Sequence, residues 1–158
     1  MKMNLNLFPS AAGNLRWMVV DDSAEVLELA AMLLERLGGA RVSRCRSGAA
    51  ALAEFAAAPG TFGFVLTDLV MPGMDGIELC RRLRAQAPGL PVLLATGSAL
   101  ITRAEARNLG FCGLLEKPFL PGTLRAALKT AGIATQNPDG NRSAAPLHFD
   151  PVAAPAAA

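Results

Sequence analysis

Five side chains in this 158-residue sequence have the types and surroundings to handle a charged ligand: Asp21, Asp22, Asp68, Thr96 and Lys117. Each stands at the end of a short apolar run. Val19-Val20 leads into Asp21-Asp22, Phe64-Val65-Leu66-Thr67 into Asp68, Val92-Leu93-Leu94-Ala95 into Thr96, and Leu114-Leu115-Glu116 into Lys117. Runs of this length bounded by turn signals read as strands buried on both faces. Open α/β sheets place their ligands beyond the C-terminal ends of such strands. Three carboxylates brought to one rim repel each other until something positive neutralises them. A hard divalent cation with oxygen ligands does this, and Mg²⁺ typically takes one or two carboxylates with waters and phosphate oxygens. Lys117 offers a second positive charge and Thr96 a hydroxyl donor. Together they describe a pocket for a phosphoryl group, with Asp68 as the carboxylate nucleophile. The cation and the lysine would stabilise charge on the transferring oxygens. Taken singly, each residue also has a plainer role: the acids as turn formers or helix caps, Thr96 as a β-branched strand residue, Lys117 as a solvated charge.

The elements that must position these groups alternate along the chain. The first strand covers Arg16 to Val20, and from Ser23 the residues Val26, Leu29, Ala30, Leu33, Leu34 and Leu37 recur at helical spacing before Gly38-Gly39 stops the helix. A weaker strand spans Ala40 to Cys45, and Ser47 caps a helix through Phe55. The third strand, residues 62–67, is followed by the turn MPGMDG. Asp75 and Glu78 then have capping-box spacing for a helix to about Ala85. Pro91 to Thr96 is a fourth strand, Thr102 and Glu105 repeat the cap spacing for a short helix to Leu109, and Phe111 to Leu115 is a fifth strand. Pro121 opens a last helix through about Thr130. Such βα alternation with short connections predicts a parallel sheet covered by helices on both faces.

Composition narrows the function classes. A hydrophobic content of 52% with 18% charged residues is that of a well-buried globular domain, and 16.4 kDa suffices for one such domain. The formal net charge of +2 comes without a dense Lys/Arg block, which argues against a nucleic-acid partner. No apolar stretch reaches the ~18 residues of a membrane span, and the N-terminus lacks the apolar core of a signal peptide. Cys45, Cys80 and Cys112 are odd in number and lack CxxC spacing, which speaks for buried free thiols in a reducing cytoplasm. From Thr135 the chain turns to Asn, Pro, Asp, Gly and Ala, a composition too poor in large apolar groups to offset its ordering entropy. The lone His148 in that tail reads as solvated.

The motifs VVDD at 19–22, TDLVMPGMDG at 67–76, ATGS at 95–98 and EKPF at 116–119 together resemble the receiver domain of two-component response regulators. The resemblance spans about Leu15 to Ala131. It implies a flavodoxin-like, doubly wound, five-stranded parallel sheet, (βα)5, with strand order 2-1-3-4-5. The chain then divides into a flexible leader at 1–14, a receiver domain at 15–132 and a disordered Pro/Ala-rich tail at 133–158. Residue by residue, the resemblance implies that Asp68 is the phosphoacceptor. Asp21 and Asp22 are then the acidic pair that holds Mg²⁺ with Asp68, and the backbone carbonyl of Val70 is a further ligand. Thr96 is the switch hydroxyl, Lys117 contacts a phosphoryl oxygen, Lys117-Pro118 is a cis peptide bond, and Gly97 is a small residue beside the site.

One position departs from the pattern. The family often carries Tyr or Phe three residues before the lysine, where this chain has Leu114, and it contains no tyrosine at all. The resemblance thus implies intact phosphorylation chemistry without the usual aromatic readout. Val70 and Ser98 supply no acid or amide to position a hydrolytic water, which points to slow self-hydrolysis.

The resemblance implies a histidine kinase or histidine phosphotransfer protein as donor, and a downstream protein bound at about Ile101–Thr130. It implies no nucleic-acid or membrane partner, and leaves a homodimer open. The protein would be a phosphoacceptor that catalyses only its own phosphorylation and slow dephosphorylation, as a single-domain regulator or as the receiver of a hybrid kinase. Two other classes stand beside it. A phosphorylation-independent interaction module finds some support in Leu114. An aspartyl-phosphate phosphohydrolase usually carries a second acid where this chain has Val70.

Overall fold

Alternating apolar runs and amphipathic segments fold into five strands and five helices in a strict βα succession. A computed structural model describes residues 15–38 and 40–136. The expected leader at 1–14, Gly39 of the helix stop, and tail residues 137–158 with His148 lie outside the described residues. The strands are β1 (Arg16–Val20), β2 (Val42–Cys45), β3 (Phe62–Asp68), β4 (Val92–Thr96) and β5 (Gly113–Glu116). The helices are α1 (Ala24–Gly38), α2 (Gly48–Ala57), α3 (Gly76–Gln86), α4 (Arg103–Asn108) and α5 (Pro121–Thr130). All strand pairs are parallel, in the order β2-β1-β3-β4-β5, as expected for the doubly wound class.

Side chains along each strand alternate between two cores. Trp17, Val19, Phe64, Leu66, Leu93 and Leu115 face one core with α1 and α5. Met18, Val20, Val65, Leu94 and Leu114 face the other with α2, α3 and α4. The alternation has one interruption: the β1–β3 register shifts between Arg16 and Trp17, which pair with Phe62 and Phe64. Gly63 is the extra residue, so Phe62 and Phe64 enter opposite cores although they are two apart. Phe111 and Leu114 share a core because β5 begins only at Gly113. The amide of Phe111 still bonds the carbonyl of Ala106, which delays the expected strand start.

The helix starts follow their capping residues. Ser47 Oγ accepts from the amide of Ala50 at 3.1 Å, and Thr102 with Glu105 forms a complete capping box. At α3 only half of the expected box forms. Asp75 Oδ1 accepts from the Glu78 amide at 2.8 Å, but the Glu78 carboxylate turns to Arg81 and Arg82 instead.

The described chain continues past the last helix in an ordered way. Ile133, Thr135 and Gln136, which the expected domain division places in the disordered tail at 133–158, pack back on the fold. The Ile133 amide bonds the carbonyl of Leu128, and the Gln136 amide bonds the carbonyl of Leu37 at 2.6 Å. Leu37 lies in the last turn of α1, where carbonyls lack intrahelical donors, and that vacancy gives Gln136 its partner.

Backbone packing directly beneath the site depends on one glycine. A Cβ on Gly76 would lie 2.2 Å from the backbone carbonyl oxygen of Asp68, which no side-chain rotation could relieve. Gly76→Ala is expected to destabilise the fold by about 1–3 kcal/mol, the usual range for overpacking, and to displace Asp68. Urea denaturation of the two chains measures the first effect. The cysteines give a second test. Burial pushes the thiols of Cys45 and Cys112 up to about 12 and that of Cys80 up to about 11. At pH 8 the native protein should therefore leave all three unmodified by a thiol reagent that labels them within minutes in denaturant.

Candidate functional site

The C-terminal ends of β1, β3, β4 and β5 bring the ionisable residues to one rim. Main-chain bonds fix these ends relative to one another. The Asp21 amide bonds Cys45 at 3.1 Å, the Leu69 amide bonds Ala95 at 3.2 Å, and the Lys117 amide bonds Thr96 at 2.9 Å. Asp21 follows β1 and is buried, Asp68 ends β3 half-buried, and Asp22 is exposed. Carboxylate oxygens of Asp21, Asp22 and Asp68 lie within 4.8 Å of one another. Lys117 reaches across from the end of β5, with Nζ 2.5 Å from Asp21 Oδ2 and 3.0 Å from Asp68 Oδ1. The Lys117-Pro118 bond is cis.

Neither acid is the cap of α1. Ser23 takes that position, its carbonyl accepting from the Leu27 amide and its hydroxyl from the Val26 amide at 3.4 Å. Asp21 Oδ1 accepts from the Ser23 amide at 2.9 Å, which orients one carboxylate oxygen and leaves Oδ2 to Lys117. The capping role weighed for Asp21 and Asp22 from sequence thus falls to their neighbour.

Charge is unbalanced here. Three carboxylates face one ammonium group, an excess of two negative charges. Burial raises the pKa of Asp68 above its ordinary value, and the Asp21 charge adds to the effect. The hydrogen bond and charge of Lys117 oppose the rise without cancelling it. For Lys117, burial works to lower the pKa, but its bonds and charges with Asp21 and Asp68 outweigh burial and the net shift is upward. The lysine is held as a cation, while the carboxylates remain short of positive charge. An all-oxygen donor set with that deficit fits a hard divalent ion, and it does not fit a soft one.

Thr96 ends β4 and is buried, and its Oγ1 makes its hydrogen bonds to Ser98, at 3.1 Å to Oγ and 3.2 Å from the amide. The structure therefore gathers Asp21, Asp22, Asp68 and Lys117, and sets Thr96 beside them with its hydroxyl engaged elsewhere. Val70 lies in the loop two residues beyond Asp68 with its side chain exposed. A Cβ on Gly97 would meet only Lys117 Cβ, at 3.9 Å.

Ser98 is marked in the sequence as a position beside the site, but its bond to Thr96 is not, although a Thr-x-Ser spacing invites local side-chain bonding. Arg46, whose Nη2 donates to the Asp22 carbonyl at 3.2 Å, carries no local signal at all, because 24 residues separate the partners. An apolar cleft at the opposite end of the sheet, lined in part by Leu15, Phe62, Leu90 and Pro91, has no ionisable group among the described residues of its lining.

Comparison with known proteins agrees with this geometry. The family described as the response regulator receiver domain matches residues 17–129. Chemotaxis protein CheY-3 of Vibrio cholerae is 36% identical over 118 residues, covering 73% of this chain and 89% of that protein. The transcriptional regulatory protein FixJ of Bradyrhizobium diazoefficiens is 46% identical over 77 residues, covering 48% of this chain and only 38% of FixJ. Among solved structures, CheY4 of Vibrio cholerae superposes with a TM-score of 0.66 at 29% identity, covering 75% of this chain and 99% of that one. A response regulator receiver domain from Clostridium thermocellum gives 0.67 at 27% identity, covering 74% and 93%. By its strand order and its match over residues 17–129, the chain belongs to the receiver-domain family of two-component response regulators.

Proposed function

We propose that the domain is a phosphorylation-controlled switch in which Asp68 accepts a phosphoryl group from a partner's phosphohistidine. The observation that carries this reading is the contact of Lys117 Nζ with Asp68 Oδ1 at 3.0 Å inside a group of three carboxylates. An Asp68 oxygen attacks phosphorus in line with the nitrogen–phosphorus bond, which breaks with its electron pair returning to nitrogen. The ring, protonated on its other nitrogen, leaves as neutral imidazole. Lys117, already a cation at hydrogen-bond distance from the nucleophile, meets the negative charge on the transferred oxygens. Thr96 supplies a hydroxyl to the acyl phosphate once it turns from Ser98.

Asp21, Asp22, Asp68 and the backbone carbonyl of Val70 are the groups that would hold Mg²⁺. When bound, the ion supplies the positive charge that the carboxylates lack and shields the phosphoryl oxygens from them.

The acyl phosphate then shifts an existing equilibrium between inactive and active arrangements. Output is by protein contact at about Ile101–Thr130, and the donor is a histidine kinase or a histidine phosphotransfer protein. The protein acts as a phosphoacceptor and catalyses its own phosphorylation and dephosphorylation, and no nucleic acid or membrane takes part. The reading places the domain in the cytoplasm. Among the described residues, no helix is long and apolar enough to cross a membrane.

Incubation with Mg²⁺ and acetyl phosphate should add one phosphoryl mass to the protein and none to Asp68→Asn. An unlabelled parent chain, folded and assayed beside a receiver that does label, would favour a phosphorylation-independent interaction module. The charge imbalance gives a second expectation. Lys117→Ala removes the one ammonium group bonded to both Asp21 and Asp68, and breaking a partly buried pair of this kind costs up to about 3–5 kcal/mol. Millimolar Mg²⁺ should restore much of that loss and stabilise the parent chain less. Thermal melts of both proteins with and without Mg²⁺ test it, and an equal Mg²⁺ effect on the two would count against the cation site.

A further inference from the structure

The switch hydroxyl of Thr96 is already in use. Its Oγ1 lies 3.1 Å from Ser98 Oγ, and the Ser98 amide donates to it at 3.2 Å. Thr96 is 2% exposed, so water does not compete freely for that oxygen. We infer that Ser98 is a latch: its hydroxyl holds the Thr96 side chain in the unphosphorylated rotamer and sets how readily the domain switches. This rests on the proposed function in one respect, namely that Thr96 must turn to an acyl phosphate on Asp68.

Hydrogen-bond arithmetic supplies the reasoning. A threonine hydroxyl has one proton to donate and two lone pairs to accept with. The oxygens of a phosphoryl group only accept, so Thr96 must aim its proton at them. Here both bonds of the hydroxyl point toward residue 98, and threonine χ1 occupies a few discrete wells. Turning toward Asp68 therefore gives up the contacts to Ser98 in a single step. The amide contact is available to any residue except proline at position 98. The contact between the two hydroxyls is specific to a hydroxyl-bearing side chain, and it is the part that this sequence chooses.

The size of the effect follows from the bond. Losing one neutral hydrogen bond of ordinary net strength corresponds to about a two- to tenfold change in an equilibrium constant. A reaction that proceeds through the minor, turned rotamer speeds up in proportion to its population. Ser98 is a positioning residue, acting through Thr96 and not on the phosphoryl group.

Ser98→Ala and Ser98→Thr in the full chain test the latch with two readouts. The first is the Thr96 χ1 distribution, read from three-bond carbon–nitrogen and carbon–carbon couplings in the unphosphorylated protein with Mg²⁺. The second is the rate of Asp68 labelling by acetyl phosphate. Ser98→Ala should populate a second Thr96 rotamer and label about two- to tenfold faster. Ser98→Thr, which keeps the hydroxyl, should match the parent chain in both. An unchanged rotamer distribution in Ser98→Ala overturns the latch, as does an unchanged rate in a chain that labels. A slower rate overturns it too, and would make Ser98 a donor that supports the turned Thr96. If the parent chain is not labelled at all, the functional reading fails while the rotamer comparison still decides the latch.

Discussion

Lys117 is the charge on which the rim depends. Its ammonium group bonds both Asp21 and Asp68, and it is the side-chain cation that the structure places within bonding distance of those two acids. Without it, three carboxylates would stand within 4.8 Å of one another with no bonded cation, a costly arrangement away from bulk water. The rest of the architecture can be understood as the means of holding that contact. Asp21 and Lys117 are 96 residues apart in sequence, and they meet because β1, β3, β4 and β5 end at the same level. The main-chain bonds from Asp21, Leu69 and Lys117 to neighbouring strands align those ends. One ammonium group lowers the repulsion without removing it, and burial, with the Asp21 charge a lesser contributor, keeps the pKa of Asp68 above its ordinary value despite the bond to Lys117. A site left in that condition would gain stability from binding a cation.

The fold was largely legible in the sequence because its signals are local. Apolar runs, the caps at Ser47 and Thr102, and Pro121 at the start of α5 each act within a few residues, and the elements form where those signals lie. The misplacements arise where a distant partner decides. The strand expected from Phe111 begins at Gly113, because the Phe111 amide stays with Ala106 and only from Cys112, whose amide bonds Val92 of β4, does the chain join the sheet. The bulge at Gly63 depends on register with β1, which no local pattern encodes. Glu78 leaves its capping box for two arginines on its own helix, a competition between equivalent local partners. Gln136 is ordered by the free carbonyl of Leu37, an acceptor supplied by another element.

The site followed the same division. Strand ends place Asp21, Asp22, Asp68, Thr96 and Lys117 on one rim, and a sequence that marks its strands clearly also marks that rim. Side-chain direction is a different kind of information. That Lys117 bonds two acids, that Ser23 and not Asp22 caps α1, and that Thr96 turns to Ser98 are matters of rotamer and distance. Arg46 shows the limit most plainly: its bond to the Asp22 carbonyl follows from β2 and β1 being neighbours, and nothing in the residue itself announces it.

How a change at Asp68 could reach the proposed output surface is constrained by what α4 lacks. This helix has six residues and buries only Ala106, so packing holds it less firmly than α1, which buries Leu27, Leu33, Leu34 and Leu37 among others. Its stability leans on the Thr102–Glu105 capping box, made of exposed groups. Elements with few buried contacts and solvent-facing bonds are the ones that move at least cost. The loop that carries Ser98 joins β4 to this helix, so under the proposed latch a turn of Thr96 that releases Ser98 would act on α4's N-terminal side. Leu114, buried in the core that also contains Ala106 and Phe111, supplies aliphatic volume where an aromatic ring is common in the family. An aliphatic side chain there has no polar tip to exchange between core and solvent. The β4–α4 loop is then the shorter route by which rearrangement at Thr96 could reach the surface.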